Sequence, residues 1–185
     1  ISLCLGVGAP ADLANVGIEA AAPLRPMREA LGICRHLFKG ETVQVKGQRF
    51  TAQGRALGSG GRDIPLLLAA SGPRMLRLAG SHADGVLLSA SASEEFVHWS
   101  LDQLPASGVG AGFGRHGLIF ASVAEDKKTA YDRLRRVLAL TLRGKHHSRN
   151  LELAGSRLNQ AAVNNAITAG DLATAERLIN DAIVE

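Results

Sequence analysis

Three short stretches of very small residues stand out as able to do chemistry: Gly6-Val7-Gly8-Ala9, Ala69-Ala70-Ser71-Gly72-Pro73 and Ser89-Ala90-Ser91-Ala92-Ser93. Side chains of this size let a planar or phosphorylated ligand approach the main chain, and serine hydroxyls with free amides hold phosphate oxygens without long side chains. Tight turns between a strand and a helix favour Gly, Ala and Ser for structural reasons too, so one such stretch alone is not diagnostic. Their recurrence at three turns points to one shared anionic ligand.

Other motifs are excluded or read as structural. Gly6-Val7-Gly8 resembles the start of a dinucleotide fingerprint, but position 11 is Ala11, and Pro10 with the irregular stretch after it does not open a helix at once. There is no GxxxxGK[ST] phosphate loop and no GxSxG nucleophile elbow. Cys4 and Cys34 lie in apolar segments without a CxxC pair or a suitably spaced histidine, so they read as buried free thiols and no metal site is expected. His146 and His147 adjoin beside Lys145 and Arg149, which reads as an exposed basic loop. Glu94-Glu95 and Glu125-Asp126 fall at helix starts, where they complement the dipole better than they serve acid–base catalysis.

The elements that position the small-residue stretches follow from periodicity. Residues 1–8, 64–70, 84–88 and 117–123 read as strands, the first three as short apolar runs of the kind buried on both faces of a parallel sheet. An amphipathic helix is predicted over residues 26–39, with Pro26 in its first turn and Gly40 ending it. Residues 43–50 alternate about Gly47 as a small hairpin, and residues 54–61 form a glycine-rich loop. Residues 74–79 form a short helix closed by Gly80. Ser91 with Glu94 can box the start of the next helix, and a long helix carries Leu134, Val137, Leu138 and Leu142 on one face. From Ser148 onward the signals are helical. Alternating strands and helices predict an α/β fold with a parallel sheet. An open doubly wound sheet and half of an eight-stranded barrel fit the pattern equally.

With 185 residues, 46% hydrophobic and 21% charged, the chain suits one globular domain. A net charge of +4 suits an anionic ligand, yet the 21 basic residues are scattered, and five Phe, one Trp and one Tyr make a poor stacking platform. Nucleic acid is therefore not an expected partner. No apolar run approaches the roughly 18–20 residues that cross a bilayer. No signal-peptide pattern opens the chain, so no membrane is expected and a cytoplasmic location is the default. The opening on Ile1-Ser2-Leu3-Cys4-Leu5 without Met, and the end on Ile183-Val184-Glu185 within a helical pattern, make both ends read as cut.

The run from Arg25-Pro26-Met27-Arg28-Glu29-Ala30 to His36-Leu37-Phe38-Lys39-Gly40-Glu41, followed by Val45-Lys46-Gly47-Gln48-Arg49-Phe50, resembles the luciferase-like oxidoreductases. So does Ile64-Pro65-Leu66-Leu67-Leu68-Ala69-Ala70-Ser71-Gly72-Pro73, with Leu78-Ala79-Gly80 and Ala83-Asp84-Gly85-Val86 after it. Within that family the pattern is most similar to the methylenetetrahydromethanopterin reductases and related enzymes that use the deazaflavin coenzyme F420. The resemblance implies a (β/α)8 TIM barrel with a small β-hairpin insertion and a helical C-terminal part, and hydride transfer at the deazaflavin ring. It places the cofactor across the C-terminal barrel mouth, against Gly8, Ala70, Ser71, Gly72 and Pro73, with Ser89 and Ser91 as phosphate-side donors.

A full barrel takes about 250 residues. Residues 1–185 are accordingly expected to be one incomplete barrel domain lacking its N-terminal strands and its last strand. In the family the acid–base group comes from the N-terminal part, so no catalytic residue is assigned in this chain, which is expected to be inactive alone. A small organic substrate and a homodimer are the partners the resemblance implies. Two other readings stay open: a luciferase-like monooxygenase using reduced FMN, and a non-catalytic interaction module whose open sheet edges and bare apolar interior favour assembly.

Overall fold

The apolar opening run forms β1 (Leu3–Leu5), after which come α1 (Pro10–Asn15), α2 (Leu24–Phe38) and the hairpin arms β2 (Val43–Lys46) and β3 (Thr51–Arg55). Then follow β4 (Leu66–Ala70), α3 (Pro73–His82), β5 (Gly85–Leu88), α4 (Glu94–Asp102), β6 (Gly114–Gly117) and α5 (Lys127–Leu142). Short helices complete the chain: α6 (Ser148–Leu153), α7 (Gln160–Thr168), α8 (Leu172–Arg177) and α9 (Asp181–Val184). The structure, a computed structural model, describes residues 1–19, 22–88 and 92–185. It divides into two compact units, Ile1–Leu88 with Ser100–His116, and Ser89–Trp99 with Gly117–Glu185. No helix among the described residues is long and apolar enough to cross a membrane.

The first unit is built on a sheet of order β1-β4-β5-β6. β1, β4 and β5 are parallel, with Leu3 opposite Leu66, Leu5 opposite Leu68, Leu67 opposite Gly85 and Ala70 opposite Leu88. Because side chains alternate along a strand, this register puts Leu66, Leu68, Ala70, Val86 and Leu88 on one face, and all five are buried. α2 and α3 pack on β4, and α3 also on β5, so this is the helix-covered face. Each fully buried Leu or Val there stabilises the unit by roughly 2 kcal/mol.

The opposite face carries Cys4, Leu67, Ala69 and Leu87, and Cys4 is exposed while Cys34 is half-buried. The expectation of two buried thiols is thus corrected. A three-residue strand at the end of the sheet order has cover for one face only, and Cys4 points to the other.

Four further expectations shift for identifiable reasons. The hairpin turns over residues 47–50, because the Glu29 carboxylate accepts the amides of Gln48 at 3.0 Å and Arg49 at 3.2 Å. Those two amides hold the Glu29 carboxyl below its ordinary range and are lost to the ladder, so the second arm starts at Thr51 and takes in Gly54. Gly80 does not close α3, which continues to His82; a side chain at Gly80 would meet Pro105 Cδ at 2.3 Å, so this glycine serves close packing. Pro10 does open a helix, occupying the first turn of the six-residue α1. The strand expected over residues 117–123 is displaced to Gly114–Gly117, and Leu118, Ile119 and Val123 are exposed. The amide of Gly114 donates to Asp84 O at 2.9 Å, which anchors β6 at its first residue.

Asp84 also ties the sheet to α2. Its Oδ2 accepts from Leu66 N at 2.8 Å, its Oδ1 lies 3.0 Å from the Arg35 guanidinium, and Arg35 donates to His82 O at 3.2 Å. α2 ends as the sequence predicts, with Gly40 at φ +77 in the left-handed conformation that closes helices.

The second unit packs α7, α8 and α9 against α5. Its core joins Leu138, Leu142, Leu151, Val163, Ala175 and Ile179, so the apolar stripe read on α5 is the buried one at Leu138 and Leu142, with Leu134 half-buried beside it. Asp126 caps α5 by accepting from Thr129 N at 2.8 Å, the role expected of this acidic pair. Arg135 bonds both Ile179 O and the Asp181 carboxylate, fastening the C-terminal helices to α5. His147 departs from the exposed loop read for it: the 3-10 turn Lys145–His147 tucks its ring inward until it is 4% exposed, leaving His146 outside.

Candidate functional site

Because β1, β4 and β5 run parallel, their C-terminal ends lie along the same edge of the sheet, where α/β folds gather ligands. At the end of β1, a Cβ built on Gly6 would lie 3.5 Å from that of Ala69, so the β1 and β4 tips touch. Gly8 follows at φ +86, and a side chain there would press on Leu13. The turn from β1 into α1 therefore demands this glycine, whatever else it does.

The β4 tip is different. Ala70 points into the helix-covered face and offers only its main chain. Ser71 and Gly72 are half-buried and Pro73 is exposed. Gly72 has φ −104 and ψ 152, an ordinary extended conformation, and among the described residues a side chain there would meet nothing within 4 Å. Neither its backbone conformation nor packing among the described residues requires glycine at this position. Gly72 is the N-cap of α3, its carbonyl accepts from Met75 N and Leu76 N at 3.1 and 2.9 Å, and among the described residues no side chain caps the helix. First-turn amides without a capping side chain can serve an anion.

Ser89 and Ser91 lie outside the described residues. Of the same segment, Ser93 is described, and its Oγ accepts from Phe96 N at 3.2 Å at the start of α4. The Glu95 carboxyl is held below its ordinary range by its own backbone amide and by the Ser93 hydroxyl. A serine directly before Glu94-Glu95 is the signal that identifies the cap.

Two cavities lined by described residues of the first unit bear on the site. One, about 330 Å³, opens beside the β1 tip and is lined mainly by apolar side chains, including Val7, Leu13, Met27 and Phe50, together with Glu19 and Arg49. The other, about 600 Å³, includes Ser2, Ile64, Pro65 and Asp84, residues that precede the strands and so lie at their N-terminal ends. In parallel α/β folds that edge serves stability. The larger cavity is thus not the one at the tips. Gly8, Ala70, Ser71, Gly72 and Pro73 include no acid–base side chain, so what they can do is hold a ligand through main-chain groups and one hydroxyl.

The family model described as luciferase-like monooxygenase matches residues 1–185. A 5,10-methylenetetrahydromethanopterin reductase of Archaeoglobus fulgidus is 30% identical over 197 residues, an alignment that takes in 99% of this chain and 58% of the relative. An F420-dependent glucose-6-phosphate dehydrogenase of Beutenbergia cavernae is 28% identical over 136 residues, 71% of this chain and 40% of that protein. The solved structure of the coenzyme F420 dependent tetrahydromethanopterin reductase from Methanopyrus kandleri superposes with a TM-score of 0.80 at 20% identity, over 100% of this chain and 59% of that one. The chain belongs to the luciferase-like family, and its fold class is that family's α/β barrel. It spans 58% of the length of the Archaeoglobus reductase.

Proposed function

We propose that the protein to which this chain belongs is an F420-dependent oxidoreductase that transfers hydride between the deazaflavin and a small organic substrate. The observation that carries the reading is Gly72, a glycine with no backbone or packing requirement, set at the uncapped start of α3 beside the touching tips of β1 and β4. Two of the named relatives use F420 by their own descriptions. A deazaflavin with an anionic tail fits this setting: a ring needs close main-chain approach, and the tail needs N–H donors.

In this reading Ser71, Gly72 and Pro73 hold the cofactor at the β4 tip, Ala70 and Gly8 contribute main chain alone, and Ser89 and Ser91 donate to phosphate. Bound F420 supplies the carbon that gives or takes hydride. The chain's own residues orient that ring and exclude water, and the barrel strands and acid–base group complete the site in the whole protein, where a homodimer is the proposed assembly. A luciferase-like monooxygenase using reduced FMN is the second reading, favoured by the description of the family model.

Titration of the full-length protein with F420 and with FMN separates the two. Tight F420 uptake without oxygen consumption is expected; tight FMN uptake with oxygen consumption would replace the first reading by the second. Gly72→Val tests the site itself. Valine suits an extended residue before proline, and open space receives its side chain, so the fold survives. F420 affinity is expected to fall at least about tenfold, since the added methyls stand where the ligand must approach. Unchanged affinity would remove the β4 tip from the site.

A further inference from the structure

The cavity of about 330 Å³ beside the β1 tip is walled by residues that lie far apart in sequence, all of them in the first unit. Val7 comes from the strand end, Met27 and Ala30 from α2, and Phe50 from the turn between β2 and β3. That turn is held in place by α2 itself. Glu29, on the same helix as Met27 and Ala30, accepts the amides of Gln48 and Arg49. A side chain at Gly47 would meet the Glu29 carboxylate at 2.5 Å, so the turn docks on the helix as closely as its backbone allows. Arg49 and Phe50 are thereby set at the cavity.

This wall leaves apolar surface uncovered. Phe50 is 43% exposed and Ile18 52%, although both line the cavity. A turn docked for stability alone would gain by burying that phenylalanine fully. Ligand pockets span about 300–1,000 Å³ and combine mainly apolar walls with a few polar groups that fix orientation. This cavity lies at the lower end, which suits one ring system or chain rather than a whole cofactor. Its charged groups are the Arg49 guanidinium and the Glu19 carboxylate, neither of which has an ion-pair partner among the described residues. A planar guanidinium matches a carboxylate in geometry and charge, while Glu19 repels an anion and leaves Arg49 to take it. Gly6 and Val7 line the cavity, and Gly6 is also the residue that adjoins Ala69 of the β4 tip. The cavity is therefore continuous with the strand ends assigned above to the cofactor.

We propose that this cavity is the substrate pocket and that it takes an apolar ring or chain bearing a carboxylate, the apolar part against Val7, Met27 and Phe50 and the carboxylate on Arg49. This rests on the F420 reading above. The probes are 2-naphthoate and its neutral counterpart 2-naphthamide, titrated into the full-length protein with and without F420. 2-Naphthoate is expected to bind about fivefold more tightly than the amide and to change the fluorescence of bound F420. Arg49→Gln removes the charge and keeps the Glu29 clamp, which grips the Arg49 amide and not its side chain. It is expected to weaken 2-naphthoate about fivefold and to leave 2-naphthamide and F420 within about twofold of wild type. Ala30→Phe places a ring inside the cavity and is expected to weaken both probes at least about tenfold, with F420 again within about twofold. Phe50→Ala, which removes one wall from the exposed turn, replaces it should that variant not fold, and is expected to weaken both probes about fivefold.

Equal loss of acid and amide in Arg49→Gln overturns the proposal. So does unchanged binding of both probes in the cavity variant, or F420 fluorescence that does not respond to 2-naphthoate. F420 uptake without binding of either probe overturns the pocket and leaves the cofactor reading standing. Binding of 2-naphthoate through Arg49 by a protein that takes up neither F420 nor FMN overturns the cofactor reading, and the substrate assignment with it.

Discussion

Gly85→Val is expected to lower the stability of the first unit by about 3 kcal/mol, at the upper end of what overpacking a core costs. Gly85 opens β5 opposite Leu67. A Cβ there would lie 2.7 Å from Gly114 O, 2.7 Å from Leu67 Cδ2 and 3.0 Å from Gly114 Cα. Leu67 can rotate away, but Gly114 meets the new atom with its backbone. That backbone can retreat only by giving up its hydrogen bond to Asp84 O, the contact that starts β6. The cost is therefore steric overlap plus a weakened strand pairing. Gly58→Ala, in a loop where an added Cβ meets nothing within 4 Å, is the matching control and is expected to be close to neutral. Urea denaturation of both variants reads the difference. A Gly85→Val midpoint equal to that of Gly58→Ala would mean that β5 and β6 are not held at this distance in solution.

The same pair of glycines explains why part of the fold was legible in the sequence and part was not. β4 and β5 could be read directly, since five- and four-residue apolar runs bounded by Pro65, Ser71 and Asp84 leave little choice of element. α2 was legible for the same reason, its stripe and its closing Gly40 being local signals. β6 was not, because pairing between distant segments is decided by how closely two backbones approach, and nothing in Gly114-Arg115-His116-Gly117 advertises a strand. Gly80 was misread because a glycine that ends a helix and one that admits a neighbouring proline look identical in sequence. Cys4 was misread because an apolar run signals that burial is favourable, not which face receives cover.

The candidate site divides along the same line. The small residues at the strand ends and their common edge follow from the strand-turn-helix rhythm, which is local. That Gly8 is demanded by its φ, while Gly72 has neither a positive φ nor a close neighbour among the described residues, follows from the folded backbone and not from local pattern.

Acid is expected to destabilise the second unit by about 3 kcal/mol through His147 alone. Burial pushes its imidazole down from the ordinary 6.5 to about 4, with the neighbouring His146 adding to the shift, and its Nδ1 has no hydrogen-bond partner among the described residues. Above pH 6.5 the ring is neutral in folded and unfolded chains alike, so its contribution does not vary. Between 6.5 and about 4 the unfolded chain takes up a proton that the folded one refuses, and stability falls with pH; below about 4 the loss is complete. About 2 kcal/mol of it is spent by pH 5, before carboxylates such as half-buried Glu29 and exposed Asp132, whose depressed values place their effect lower, begin to titrate. His147→Leu keeps the site apolar and removes the proton acceptor. Denaturation midpoints at pH 7 and pH 5 should therefore diverge in the wild type and nearly coincide in the variant.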